Sequence, residues 1–247
     1  MASLSVIVPT YNEAANVGPL IARIARALAA VDYDLIFVDD STDGTADVLA
    51  ELARGAPRLR VVHRQDRRGL ASAVTEGIAL ARGDVVCVLD ADLQHPPEIL
   101  PALMEALERT GADLAIASRY VPGGSNTTLS LSRRLVSRGA IALARLLLAR
   151  ARRVADPVSG FFAFRHRIVE GVPLRPIGYK ILLEVLVRGN VTSVVEVPYR
   201  FDTREAGESK LTLVQNWFYL KHVLALATVH PADAEPIRLS VIALTAL

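Results

Sequence analysis

The sequence holds one cysteine, Cys87, among 247 residues, so no disulfide can close within the chain. Its place inside an apolar run marks it as an inert buried thiol. Charge of one sign is also missing: 28 Lys and Arg stand against 26 Asp and Glu, a net +2 that gives no argument for nucleic-acid binding. The start "MASLSVIVPTYNE" has neither a basic opening nor a long apolar stretch, so no signal peptide is expected and the N-terminal part is placed in the cytosol. Neither G-x-G-x-x-G nor G-x-x-x-x-G-K-[ST] occurs, which argues against Rossmann dehydrogenases and P-loop NTPases. The absence of G-x-S-x-G removes support for a serine hydrolase. His63, His95, His166, His222 and His230 each lack a second His or Cys at ligand spacing, so zinc is not expected.

What is present is apolar and alternating. Hydrophobic residues make up 51 % of the chain and mean hydropathy is +0.32, high for a freely soluble enzyme, which points to membrane contact. The runs "LSVIVP" (4–9), "DLIFVD" (34–39), "LRVVH" (59–63), "DVVCVLD" (84–90) and "DLAIAS" (113–118) read as strands, separated by segments with helical spacing. Continuous apolar strands alternating with helices predict an α/β fold with a mainly parallel sheet covered on both faces. Such a sheet binds ligands at the carboxyl ends of its strands.

Three strand ends carry polar residues: Pro9, Tyr11, Asn12 and Glu13; Asp39, Asp40, Ser41 and Asp43; and Asp90, Asp92 and Gln94. Asp43 fits turn-and-cap chemistry before Gly44, and Glu13 suits the positive end of the helix that follows. Asp90 and Asp92 are harder to explain structurally, because two carboxylates at one strand end repel unless a cation lies between them. Oxygen donors with a glutamine carbonyl suit Mg²⁺ or Mn²⁺, with open positions for phosphate oxygens. The stretch therefore reads as a metal–diphosphate platform, with His95 as a loop residue or one behind the ligands rather than a ligand.

Seven stretches in order, "SVIVPTYNE", "VDDSTDGT", "LDADLQHPPE", "SRYVPGG", "DPVSGFFAFR", "GYKILLEVLVRG" and "REAGESKL", together resemble the polyprenyl-phosphate (dolichyl-phosphate) mannose synthases, inverting nucleotide-sugar glycosyltransferases of the GT-A fold. The first four mark the broad glycosyltransferase class; the last three narrow it to lipid-phosphate acceptors. Val158 stands where the family more commonly has methionine, a conservative change. The resemblance implies transfer of mannose from GDP-mannose to a polyprenyl or dolichyl phosphate. It implies that Pro9, Tyr11, Glu13, Val38 and Asp40 line the nucleoside pocket, with Ala91 against the ribose. Asp90, Asp92 and Gln94 would hold the divalent ion. Arg119, Arg204 and Lys210 would meet phosphate charge and, with Asp92, carry catalysis. Arg133 and Ser137, four apart on a helix, would grip the lipid phosphate with Arg119. A UDP-sugar polyprenyl-phosphate transferase, a non-catalytic nucleotide-binding scaffold and a nucleotidyltransferase are the competing readings.

Two segments point to a membrane. "RRLVSRGAIALARLLLARARR" (133–153) interleaves leucines with arginines and is expected as a helix in the headgroup region. "LTLVQNWFYLKHVLALATV" (211–229) carries Trp217 and Tyr219 and reads as a second interfacial helix. The last eleven residues, "IRLSVIALTAL", are expected to begin a transmembrane helix cut short, since a span needs about 20. The expected organisation is a catalytic domain over 1–210 and membrane-facing elements over 211–247. The enzyme is expected at a membrane with its catalytic domain on the cytoplasmic face.

Overall fold

The structure is a computed structural model and describes residues 2–65, 69–127, 130–203, 213–229 and 237–242. All residues of β1 (Leu4–Thr10), β4 (Val85–Val88) and β5 (Leu114–Ser118) are buried, as strands without alternation must be when both faces are covered. They join β2 (Tyr33–Asp39), β3 (Leu59–His63), β6 (Phe162–Arg165), β7 (Ser193–Pro198) and β8 (Arg238–Val241) in an eight-stranded sheet. Its order is β3-β2-β1-β4-β6-β5-β7-β8. Every pairing is parallel except those of β6, which runs antiparallel to both β4 and β5. The predicted mainly parallel sheet is therefore present.

Helices cover both faces. On one, α1 (Ala14–Ala27), α2 (Thr45–Arg54) and α4 (Leu100–Thr110) bury Leu20, Ile24, Leu49, Leu103 and Leu107 against Val6, Val8 and Phe37. On the other, α3 (Leu70–Leu80) and α6 (Ile181–Arg188) bury Val74, Ile78, Leu182 and Leu186 against Ile7, Ile36 and Ile116. Each fully buried aliphatic side chain contributes roughly 1.5–3 kcal/mol. Gly77 lets α3 approach β1 closely, since a Cβ there would stand 2.4 Å from Ile7 Cγ2.

A smaller third cluster unites α5 (Leu131–Leu147), α6 and α7 (Leu213–Ala227) through Ile141, Ala144, Leu183, Val187, Tyr219, Val223 and Leu226. The Tyr219 hydroxyl donates to the Ala140 carbonyl at 2.6 Å. His222 Nε2 lies 2.8 Å from Glu184 Oε2, while Arg188 pairs with the other carboxylate oxygen at 2.7 Å. Burial raises the Glu184 carboxyl, but the His222 hydrogen bond, the Arg175 amide and the Arg188 charge together hold it below the ordinary value.

Two expectations need correction. The helix expected over 133–153 runs instead over Leu131–Leu147, capped by Ser130 Oγ accepting from Arg133 N, and Leu148 leaves helical geometry at φ −111° and ψ 108°. The Arg145 guanidinium donates twice to the Val154 carbonyl, at 2.9 and 2.6 Å, and folds the basic tail back onto the helix. The segment expected to begin a transmembrane helix instead places Arg238–Val241 parallel to β7 at the sheet edge, from Ser193↔Arg238 to Glu196↔Val241. Arg238 opens that strand and Ser240 follows two positions later, which suits an exposed edge strand better than a lipid-facing helix. Among the described residues no helix is long and apolar enough to cross a membrane.

Candidate active site

From β1 the chain moves outward to β2 and β3, then returns to lay β4 on the other side of β1. This reversal is where open α/β sheets form a crevice beyond the carboxyl ends of the strands. The β1–β4 ladder ends at Ile7↔Val88, whereas β1 continues beside β2 to Thr10↔Asp39. Pro9 falls beyond the end of the β1–β4 ladder, so its missing N–H leaves no gap there. The strands part at the loops that carry Tyr11 to Glu13 and Asp90 to Gln94.

Both of those loops are held in an uncommon backbone conformation. Among the described residues the non-glycines with positive φ are Asn12, at 57°, and Leu93, at 59°. Asn12 is suited to it: its Oδ1 accepts from Thr42 N at 3.0 Å, and its N–H donates to Ser41 Oγ at 2.7 Å. Leu93 has no polar group with which to offset roughly 1–2 kcal/mol of left-handed strain. Its side chain is buried in the core while Gln94 N donates to Asp92 Oδ1 at 3.1 Å. Strain kept by packing is characteristic of functional turns.

On the β1–β2 side, Pro9 and Val38 are buried register partners, and Tyr11 is 40 % exposed at the mouth. Glu13 Oε2 accepts from Asn16 Nδ2 at 2.7 Å at the start of α1. Asp40 is buried and already engaged. Arg64 Nε and Nη2 donate to its two oxygens at 2.7 and 2.6 Å, and Gly69 N adds a third bond at 2.7 Å. Arg64 was not singled out in the sequence, because nothing in "VVHRQD" distinguishes it before β3 is laid beside β2. Asp43 does what turn chemistry predicts, accepting from Thr45 N at 2.9 Å and Thr45 Oγ1 at 2.5 Å.

On the β4 side, Asp90, Asp92 and Gln94 lie half-buried around the buried Ala91 and Leu93. Gln94 Nε2 donates to the Asp202 carbonyl at 3.2 Å, which fixes the amide and leaves Oε1 as its acceptor end. His95 is buried behind this loop, with Nε2 3.4 Å from Asp90 Oδ2 and Nδ1 3.0 Å from the Tyr199 hydroxyl. Burial holds Tyr199 well above its ordinary pKa, so the hydroxyl keeps its proton; when it donates to Nδ1, Nε2 carries the ring hydrogen toward Asp90. The His95 ring is enclosed by Phe161, Tyr199 and Phe201 at 5.7, 5.7 and 5.2 Å. Gly160 completes the enclosure, because a Cβ there would stand 2.7 Å from Asp90 Oδ2. Two carboxylates and an oriented amide oxygen fit a hard divalent ion whose other positions are filled by ligand oxygens. No group of three or more His, Cys, Asp or Glu suited to a metal occurs among the described residues.

Arg119, beyond the end of β5, is already occupied by a partner missed in the sequence. Its Nε and Nη2 bind the two oxygens of the fully buried Asp156 at 2.7 and 2.9 Å, and its Cζ lies 5.5 and 5.6 Å from the Tyr120 and Phe201 rings. Burial alone would lower the Arg119 pKa; the Asp156 charge and hydrogen bonds outweigh it and hold it above the ordinary value. Asp156 is itself fixed by Glu196 Oε1, which accepts from its N–H at 3.0 Å. Lys180, also missed, donates from Nζ to the Val158 carbonyl at 2.8 Å. Burial first, and the Arg119 charge second, lower it to about 8, with Asp90 and Asp156 acting in the opposite direction. Both residues sit inside quoted motifs, "DPVSGFF" and "GYKILL", but only the folded chain carries them to Arg119.

Ser137 on α5 is joined to this group: the Tyr120 hydroxyl donates to Ser137 Oγ at 2.9 Å and accepts from Asn126 Nδ2 at 3.0 Å. Arg133 lies one turn earlier and is exposed. Arg204 and Lys210 lie outside the described residues. Two cavities of about 300 and 310 Å³ sit at the opposite, amino-terminal end of the sheet and include none of these side chains.

Comparison with known proteins matches the same elements. Residues 5–172 match the family model "Glycosyl transferase family 2". The chain is 48 % identical over 224 residues to a dolichol-phosphate mannosyltransferase of Pyrococcus furiosus, covering 90 % of this chain and 63 % of that protein. It is 37 % identical to the dolichol-phosphate mannosyltransferase of Mycosarcoma maydis, covering 91 % of this chain and 79 % of that one. In fold it is similar to glucosyl-3-phosphoglycerate synthase from Mycobacterium tuberculosis, crystallised with Mn²⁺, UDP-glucose and phosphoglyceric acid, at TM-score 0.71 and 22 % identity over 94 % of this chain and 81 % of that one. With its sheet reversal, its strained Asp-Ala-Asp-Leu-Gln loop and these relatives, the chain belongs to glycosyl transferase family 2, among the dolichol-phosphate mannosyltransferases.

Proposed function

We propose that the chain transfers mannose from GDP-mannose to a polyprenyl or dolichyl phosphate, inverting the anomeric carbon, at the cytoplasmic face of a membrane. The observation that carries the lipid acceptor is a helix apolar on opposite sides. On α5, Ile141 and Ala144 are buried, while Leu131, Leu135 and Leu146 are 81, 73 and 72 % exposed. At about 100° per residue these three leucines fall in one narrow stripe facing away from the core. Packed beside it, α7 exposes Val214, Trp217, Phe218 and Leu224, with Lys221 over the Trp217 ring at 5.2 Å. An apolar surface bordered by cations suits the headgroup boundary of a bilayer with anionic lipid. In this reading residues 1–210 form the catalytic unit, with β8 completing the edge of their sheet, and α7 is the second interface helix.

In this proposal the crevice residues take the remaining roles. Pro9, Tyr11, Glu13 and Val38 would take the nucleoside, with Asp40 held by Arg64 as acceptor for the base. Asp90, Asp92 and Gln94 would hold Mg²⁺ or Mn²⁺, and Ala91 would lie against the ribose. The bound cation would neutralise charge on the departing nucleoside diphosphate. Arg119, Arg204 and Lys210 would add positive charge to it, and Arg133 and Ser137 would hold the acceptor phosphate. A phosphate monoester, with a second pKa near 6, is already an anionic nucleophile at neutral pH, so no protein base is required. The protein's work is alignment and charge placement.

The test incubates the protein in detergent with farnesyl phosphate and either labelled GDP-mannose or labelled UDP-glucose, with Mg²⁺ or Mn²⁺, and follows label into the organic phase. Metal-dependent transfer from GDP-mannose is expected. Transfer from UDP-glucose alone, or from neither donor, overturns the proposal.

A further inference from the structure

We propose that Lys180 is a binding residue for the acceptor's phosphate group, a role that no part of the sequence pattern assigned to it. Its backbone opens α6, whose Leu183 and Val187 pack with Ile141 and Ala144 of α5, and its neighbour Tyr179 packs against the same cluster. Its Nζ reaches in the other direction, to the Val158 carbonyl at 2.8 Å. Val158 lies between two site contacts on one short segment: Asp156, which holds Arg119, and Gly160, which abuts Asp90 Oδ2. Lys180 thus stands at the seam between the membrane-facing helices and the strand ends where the sugar donor would bind. In the proposed function, an acceptor entering from the lipid side would bring its headgroup to this seam.

Charge favours Lys180 over Arg119 as the primary partner. Arg119 spends two guanidinium nitrogens on the Asp156 carboxylate, so the pair carries no net charge. Lys180 bonds a neutral carbonyl, with its ammonium 4.8 Å from the Tyr179 ring centroid, and retains its charge and two further N–H donors. A phosphate monoester offers the opposite charge and several acceptor oxygens, and a hydrogen bond between ionised groups is stronger than one between neutral ones. Arg133 and Ser137, on α5, would complete the grip from the helix side.

The inference rests on the proposed function for the identity of the phosphate, and binding separates the two. The affinity of farnesyl phosphate in detergent, and separately of GDP with Mn²⁺, is measured by calorimetry for the wild type, Lys180→Met and Lys180→Arg. Lys180→Met is expected to weaken farnesyl phosphate by about tenfold or more. It should leave GDP within twofold, and Lys180→Arg should recover most of the loss. An unchanged farnesyl phosphate affinity in Lys180→Met overturns the inference, as does an equal loss of GDP binding, which would assign Lys180 to the donor diphosphate. Unaltered melting temperatures in both variants exclude a folding defect. A wild type that binds farnesyl phosphate through Lys180 but transfers no mannose would overturn the proposed function and leave the inference standing.

Discussion

At the scale of single residues, the candidate site is held by groups that stand behind the side chains facing the crevice. His95 illustrates this: a lone histidine in "DLQHPPE" has no partner at metal-ligand spacing, yet its Nε2 faces Asp90 at 3.4 Å while Tyr199 holds the other nitrogen. Residues that orient a metal ligand are worth about 10–100-fold in metal affinity. His95→Phe keeps the ring that fills the cage of Phe161, Tyr199 and Phe201 and removes both nitrogens. It should weaken Mn²⁺ binding by about tenfold or more in the presence of GDP, read by the spin signal of free Mn²⁺. Affinity within threefold of the wild type would reduce His95 to a packing residue. The same lesson applies to Arg64 behind Asp40 and to Asp156 behind Arg119.

At the scale of elements, α5 carries the proposed contact with the membrane. Leu135→Glu combined with Leu146→Glu changes two solvent-exposed side chains, so the melting temperature should stay within a degree or two, whereas binding to vesicles of mixed neutral and anionic lipid should fall at least about tenfold, given roughly 1.5–3 kcal/mol per fully transferred leucine. Co-sedimentation measures it, and undiminished binding would remove α5 from the interface. Legibility in the sequence followed the physics of each element. Strands β1 to β5 were readable because continuous apolar runs bounded by turn residues have few other folds open to them. The strand β6 was not, because four residues that pair antiparallel between β4 and β5 have no periodicity of their own. The edge strand β8 was read as membrane helix because "IRLSVIAL" is equally apolar in either conformation, and only pairing with β7 decides. Asp90 and Asp92 stand out in the sequence because two carboxylates at one strand end repel, and Gln94 only as an oxygen donor beside them. Asp156 and Lys180 depended on contacts between residues far apart in the chain, which spacing does not encode.

At the scale of the whole molecule, the chain divides its labour between ends and sides of one sheet. The carboxyl ends of β1, β4 and β5 gather the polar residues with strained turns and buried ion pairs, while the helix pair α5 and α7 turns an apolar surface outward beside them. In the proposed function this arrangement would bring a water-soluble nucleotide sugar and a membrane-embedded phosphate to one crevice without either leaving its own phase. The central claim is that the crevice between β1 and β4 is where transfer occurs, and it is tested most directly by the rate of mannose transfer from GDP-mannose to farnesyl phosphate in Asp92→Asn against the wild type at saturating Mn²⁺. The account predicts a loss of at least about 10²-fold with vesicle binding unchanged. Transfer within threefold of the wild type would contradict it.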